Sequence, residues 1–196
     1  VCVVLFAAGL LLPAFLILFG KPELFVFLNE QGRIKHVRTA KHWETRRKQI
    51  LLGMQEAMGK LPLKPEGEDF NMVITDSVQR DNHTRLTIHF LAAENEWVYA
   101  YLYLPSGAGS GKRFPAMLAL HGTGPAGKKY VGGESSMQNR GYARELAQRG
   151  YVVIAPDYPS MGDAKDHDFA QDRYVSGTMK GIFNHIRCVD LLQSLD

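Results

Sequence analysis

The chain opens on an unbroken apolar run, VCVVLFAAGLLLPAFLILFG, with no charged side chain from residue 1 to residue 20. A membrane-spanning helix needs about 20 apolar residues, whereas the apolar region of an export signal is usually about 7–15. Residues 1–20 are therefore expected to be a signal or membrane-anchor segment, which would give membrane association and an extracytoplasmic setting: secreted, periplasmic or membrane-anchored. From Lys21 to Lys41 polar and apolar residues mix without a period. Between Ala40 and Gly59 the apolar residues Trp43, Ile50, Leu51, Met54 and Met58 recur at helical spacing, and Gly59 followed by Pro62 ends the pattern. An amphipathic helix over about 40–59 is predicted inside an N-terminal extension, 21–83, with the basic run Arg46-Arg47-Lys48 in solvent.

The period then changes to two. RLTIHFLA and EWVYAYLYLP predict an antiparallel hairpin with its turn at Ala93 to Glu96. Val98, Ala100, Leu102 and Leu104 fall on one face of the second strand, and Trp97, Tyr99, Tyr101 and Tyr103 on the other. Aromatic residues favour strands for packing, which accounts for the tyrosine ladder; carbohydrate stacking is the alternative. Beyond the loop SGAGSGKR, the apolar run Pro115 to Leu120 predicts a strand buried on both faces. Met137 to Arg149 reads as a helix closed by Gly150, YVVIAP as a second buried strand, and Asp157 to Arg173 as a charged loop. A last helix, about Ser176 to Leu195, carries Met179, Ile182, Phe183, Ile186 and Val189 on one stripe. A hairpin followed by alternating strands and helices gives an α/β domain, 84–196, with a mixed sheet whose later strands are parallel.

Composition narrows the function. With 196 residues, 45% hydrophobic and 22% charged, the chain suits one globular domain with a short appendage. The net charge of +3 comes from scattered residues, with no basic stripe interleaved with aromatics, so nucleic acid is not expected as a partner. Cys2 and Cys188 form neither a disulfide framework nor a metal site, and Cys188 is expected to pack in the core.

Candidate chemistry lies where the two buried strands end. Ligands in open α/β sheets bind beyond the carboxyl ends of strands, and here those ends read His121-Gly122-Thr123-Gly124 and PDYPSMGD. The order hairpin, PAMLALHGTG, helix, RGYVVIAPDYPSMGD, long helix resembles the α/β-hydrolase fold, in particular the serine esterases similar to acetylxylan esterases and dienelactone hydrolases. The resemblance covers roughly Thr84 to Asp196. It implies that the loop after the first of these strands supplies half of an oxyanion hole, with the Thr123 N–H as the first choice of donor and Gly122 or Gly124 as the alternative. It also implies that His121 and Asp157 fix loops and take no part in a catalytic triad. If HGTG is only a tight turn, none of this follows.

No Gly-x-Ser-x-Gly elbow occurs in the 196 residues, and Ser135, Ser136 and Ser160 lie in loops outside any such pattern. In the family pattern the nucleophile follows the strand after the long helix, so serine, acid and base are expected beyond residue 196, and this N-terminal portion is expected to be inactive alone. The resemblance thus points to an exported carboxylic-ester hydrolase acting on small-molecule or carbohydrate esters, with acyl and acetyl groups as candidates. A peptidase of the same fold and a non-catalytic binding protein are the alternatives. No cofactor is called for. Asp166, His167 and Asp168 lack the spaced ligand set of a metal site, and no metal is expected.

Overall fold

The computed structural model describes residues 23–67 and 69–195. The apolar segment 1–20, with its expected signal or anchor role, and Cys2 lie outside the described residues; among those described, no helix is long and apolar enough to cross a membrane. The chain divides after Ala57 into two compact units.

In the first unit, the stretch without a period forms a short antiparallel hairpin, β1 (Val26–Leu28) and β2 (Ile34–His36). Asn29 closes its turn, its Oδ1 accepting from the N–H groups of Gln31 at 3.1 Å and Arg33 at 2.8 Å. Helix α1 (Ala40–Met58) follows as predicted, begun by the Thr39 hydroxyl, which accepts from the His42 N–H at 3.2 Å. Gln49 ties helix to hairpin by bonding both backbone groups of Leu28, at 3.1 and 2.7 Å. The predicted apolar stripe is not buried: no residue of α1 is, and Leu51, Leu52 and Met54 are exposed. Two three-residue strands offer too little surface to cover a 19-residue helix.

The second unit is built on a five-stranded sheet in the order β3-β4-β5-β7-β6, comprising β3 (Val73–Gln79), β4 (His83–Ala93), β5 (Glu96–Pro105), β6 (Ala116–Leu118) and β7 (Val152–Pro156). Only β6 and β7 are parallel. The predicted hairpin is β4–β5, turned at Asn95, whose φ of 59° is a conformation asparagine tolerates. The period-two pattern of β5 sorts into two cores as expected. Val98, Ala100 and Leu102 join Ile88, Phe90 and Ile154 beneath Met179, Phe183, Cys188 and Leu191 of the long helix α4 (Gly177–Ser194). Tyr101 and Tyr103 face the other way, with Val153 and Ala155, onto Val131 of the short helix α2 (Lys129–Gly132) and Ala143 and Ala147 of α3 (Tyr142–Gln148). Tyr101 and Tyr103 are thus core residues, while Trp97 is exposed. Cys188 packs as expected, and burial pushes its thiol pKa up.

Three elements of the second unit differ from expectation. Strand β6 is shorter than Pro115 to Leu120 and lies at the sheet edge, so Ala116 and Met117 are exposed where burial on both faces was predicted. The helix expected from Met137 begins only at Tyr142, because Asn139 takes a left-handed φ of 58° that interrupts a helix. In α4, capped by a Ser176 hydroxyl that accepts from the Met179 N–H at 3.1 Å, the buried face runs through Met179, Phe183, Cys188 and Leu191. Ile182 and Ile186 are half-buried and Val189 exposed, and they border an open groove of about 310 Å³ beside Leu118.

Candidate functional site

Because β6 and β7 are parallel, the loops that follow them emerge at the same end of the sheet. His121 binds the two together. Its Nε2 accepts from the Tyr158 N–H at 3.1 Å, so Nε2 carries no proton and Nδ1 donates to the Gly122 carbonyl at 2.7 Å. With both nitrogens engaged and only 4% of the residue exposed, the imidazole has no lone pair left for a substrate proton. This geometry matches the loop-fixing role that the resemblance implied.

Asp157 is the centre of a buried ionic cluster. Its Oδ1 accepts from the Lys128 N–H at 2.7 Å, and its Oδ2 from the Lys128 ammonium at 2.5 Å and from the Asp163 N–H at 3.0 Å. Lys128 also reaches Asp163 Oδ2 at 2.5 Å, and its ammonium lies 5.1 Å from the centroid of the Tyr101 ring. Gly127 and Gly162 make this approach possible: both have left-handed φ values, 56° and 57°, and a Cβ on either would overlap the Asp157 carboxylate. The Gly162 N–H donates to the Pro125 carbonyl at 3.2 Å, so GTGPAGK and DYPSMGD interlock into one rigid rim.

On this rim, Gly122 and Thr123 are exposed. Neither has a hydrogen-bond partner for its N–H among the described residues, whereas the Gly124 N–H points at Met161 Sδ, 3.5 Å away. Beneath them is a hollow of about 250 Å³ lined by Tyr130, Met137, Arg140 and Tyr142. The Arg140 guanidinium stands 3.9 Å from where a Cβ on Gly122 would be. The Tyr142 hydroxyl donates to the Leu120 carbonyl and so holds the strand end; burial raises its pKa. On the other side, the Tyr158 ring sits edge-on between His121, 5.0 Å away, and His185, 4.9 Å away. Burial, with the neighbouring His121, pulls the His185 pKa down to about 4.

The remaining candidates have local duties. The Ser135 hydroxyl accepts from the Met137 N–H at 3.3 Å, Asp168 caps a short turn through the Ala170 N–H at 2.9 Å, and His167 pairs with Asp172 at 3.0 Å. Among the described residues no group of three or more His, Cys, Asp or Glu side chains could hold a metal ion. Sequence reasoning did not single out Lys128 or His185. A Gly-Lys-Lys run and a histidine inside a helix carry no local sign of burial.

Residues 28–182 match the model of the Abhydrolase family. The chain belongs to this family. Two solved structures share the Abhydrolase-type fold seen here. One, a candidate acetyl xylan esterase from Bacteroides fragilis NCTC 9343, aligns with a TM-score of 0.61 at 16% identity, over 87% of this chain and 53% of that one. The other, a glucuronoyl esterase from Solibacter usitatus, aligns with a TM-score of 0.57 at 18% identity, over 89% and 54%. The chain therefore spans about half the length of either structure. No curated protein matches it. The expected α/β-hydrolase fold, a mixed sheet with a leading antiparallel hairpin and flanking helices, is the fold observed.

Proposed function

We propose that the whole protein is a serine-type carboxylic-ester hydrolase acting on carbohydrate esters, and that Thr123 supplies one N–H of its oxyanion hole. The observation that carries this reading is the unengaged N–H of Thr123, exposed at the end of β6 on a loop held rigid from beneath by His121, Asp157 and Lys128. Ester hydrolysis through a serine passes through a tetrahedral oxyanion, and donors fixed in advance stabilise it without reorganising. Gly124 is the weaker choice because its N–H already faces the Met161 sulfur; Gly122 stays as the second candidate. Two structural neighbours whose names refer to an acetyl xylan and a glucuronoyl esterase support the substrate class.

The nucleophile, its acid and its base are assigned to chain outside these 196 residues, which contain no Gly-x-Ser-x-Gly. The outer side of β6, unpaired among the described residues, is where a further strand would add. On this reading the 196 residues alone hydrolyse nothing. The uncharged residues 1–20 support an extracytoplasmic setting.

The test compares Thr123→Pro, which deletes the N–H, with Thr123→Ala, which keeps it, in the whole protein on an aryl acetate and a methyl glucuronate ester. Losing one oxyanion donor lowers kcat by about 10²–10³, so the proline variant is expected to fall by that factor while the alanine variant stays within a few-fold of wild type. Equal rates for wild type and Thr123→Pro would remove Thr123 from the site. Ester turnover by residues 1–196 alone would overturn the placement of the nucleophile.

A further inference from the structure

A second polar site lies at the opposite end of the sheet. Tyr103 pairs with Val153 near the start of β7, whereas Asp157 follows the last residue of that strand. Around Tyr103, the β3–β4 turn, the start of β4 and the segment joining α2 to α3 border a cleft of about 730 Å³. Three guanidinium groups line it, Arg80, Arg85 and Arg144, against the carboxylates of Asp81 and Glu134. Arg85 is paired with Glu134, and with Asp76 at 3.4 Å; Arg80 and Arg144 have no ion-pair partner among the described residues.

Two buried groups here lack a partner among the described residues: the Tyr103 hydroxyl, on a residue only 1% exposed, and Arg85 Nε. A buried polar group without a partner is costly and calls for an explanation. Glycines let the backbone approach these groups closely. A Cβ on Gly132 would stand 3.1 Å from the Tyr103 hydroxyl oxygen, and one on Gly133 2.9 Å from the Arg144 Cζ. The groups left without a partner among the described residues are mainly donors and cations.

His83 adds the opposite polarity. Asn82 Nδ2 donates to the Gln148 carbonyl at 3.1 Å, so Asn82 Oδ1 is an acceptor and the His83 Nδ1 beside it, at 2.9 Å, carries the ring proton. Burial, with Arg80 and Arg144 nearby, holds the His83 pKa below its usual value, which keeps the ring neutral and leaves Nε2 with a lone pair.

We propose that this cleft binds a hydroxylated small molecule through an oxyanion, carboxylate or phosphate, with Arg144 and Arg80 supplying charge, Tyr103 and Arg85 Nε directed hydrogen bonds, and His83 an acceptor for a ligand hydroxyl. A volume of this order falls within the range of small-molecule sites, about 300–1,000 Å³. The site is separate from the Thr123 loop, and its occupancy is read by binding, not by turnover.

The experiment is calorimetric titration of the whole protein with gluconate, with glucose 6-phosphate and with glucose. One or both of the anionic sugars is expected to bind while the neutral sugar does not; which anion binds identifies the carboxylate or the phosphate as the ligand group. Arg144→Gln, at an exposed position, is expected to weaken that binding at least about tenfold, as fits the loss of a charge-assisted contact, and Tyr103→Phe several-fold. Both variants are checked for a native circular dichroism spectrum. No binding of either anion at about 10 mM, a range that reaches even millimolar affinities, would overturn the proposal. So would equal binding of glucose, or an affinity unchanged in Arg144→Gln.

Discussion

Where β7 ends, the Asp157 carboxylate accepts three hydrogen bonds and a buried ammonium fills the space beside it; near where the same strand begins, the equally buried Tyr103 hydroxyl accepts and donates none among the described residues. Both ends place polar groups in a core of low polarizability, and they deal with desolvation in different ways. The first satisfies both the Asp157 carboxylate and the Lys128 ammonium, so that each group fixes another, while the exposed N–H groups of Gly122 and Thr123 have no partner among the described residues. The second leaves donors unmet inside a cleft. A saturated network confers shape on the backbone around it. An unsaturated one confers capacity for a further partner.

The strongest way to break this contrast is to open the closed end. Lys128→Met leaves the Asp157 carboxylate buried, with its side chain fully covered, and without its counter-charge. Removing one member of a buried ion pair costs about 3–5 kcal/mol, and that loss is expected in the urea unfolding free energy. The double variant Lys128→Met, Asp157→Asn removes the stranded charge and is expected to recover part of the loss. A cost below about 1 kcal/mol for Lys128→Met, the size typical of an exposed pair, would mean that the closed network is not closed.

A smaller effect follows from adding a charge at the same end. His185, stacked on Tyr158, has its pKa pulled down to about 4 by burial and by the neighbouring His121. In the unfolded chain an ordinary histidine titrates near 6.5, so between pH 6.5 and 4 the unfolded state binds the extra proton and the folded state does not. Stability contributed by the neutral ring is therefore present above pH 6.5 and lost as the pH falls toward 4, by about 2–3 kcal/mol. Carboxylates protonate in the same window, so the measurement is the difference in unfolding free energy between pH 7 and pH 4 for wild type and for His185→Gln. The variant's fall is expected to be shallower by that amount; parallel curves would place His185 outside the network.

How much of this was legible before the structure depends on the range of each interaction. The hairpin and strand β7 announce themselves because burial repeats at every second residue or at every residue, a local pattern. HGTG could be placed at a strand end for the same reason. Strand β3 could not be read: VITDSVQ pairs only with β4, is exposed along nearly its whole length, and so shows no period. The apolar run Pro115 to Leu120 overstates strand β6 because such a run says nothing about whether a neighbour covers both faces. Lys128 and Lys129 are the same residue type side by side, yet the first is buried and the second exposed. The difference is made by Asp157, 29 residues later, and no window of sequence around Lys128 contains it.

The smallest expected effect is the sharpest test of the open end. Tyr174 and Tyr103 are both buried tyrosines, but the Tyr174 hydroxyl donates to Glu96 Oε2 at 2.7 Å, while the Tyr103 hydroxyl has no acceptor among the described residues. Removing a hydrogen-bonding hydroxyl costs about 1 kcal/mol, more where the partner is charged, whereas removing an unpaired one relieves a desolvation penalty. Tyr174→Phe is thus expected to destabilise by about 1–2 kcal/mol, and Tyr103→Phe to leave the unfolding free energy unchanged or slightly raised, within about 0.5 kcal/mol. Both substitutions keep the ring and its packing, so the difference between the two variants isolates the hydroxyls. If Tyr103→Phe costs as much as Tyr174→Phe when no anion is added, the Tyr103 hydroxyl is already satisfied in the free protein, and the two ends of the sheet are saturated alike.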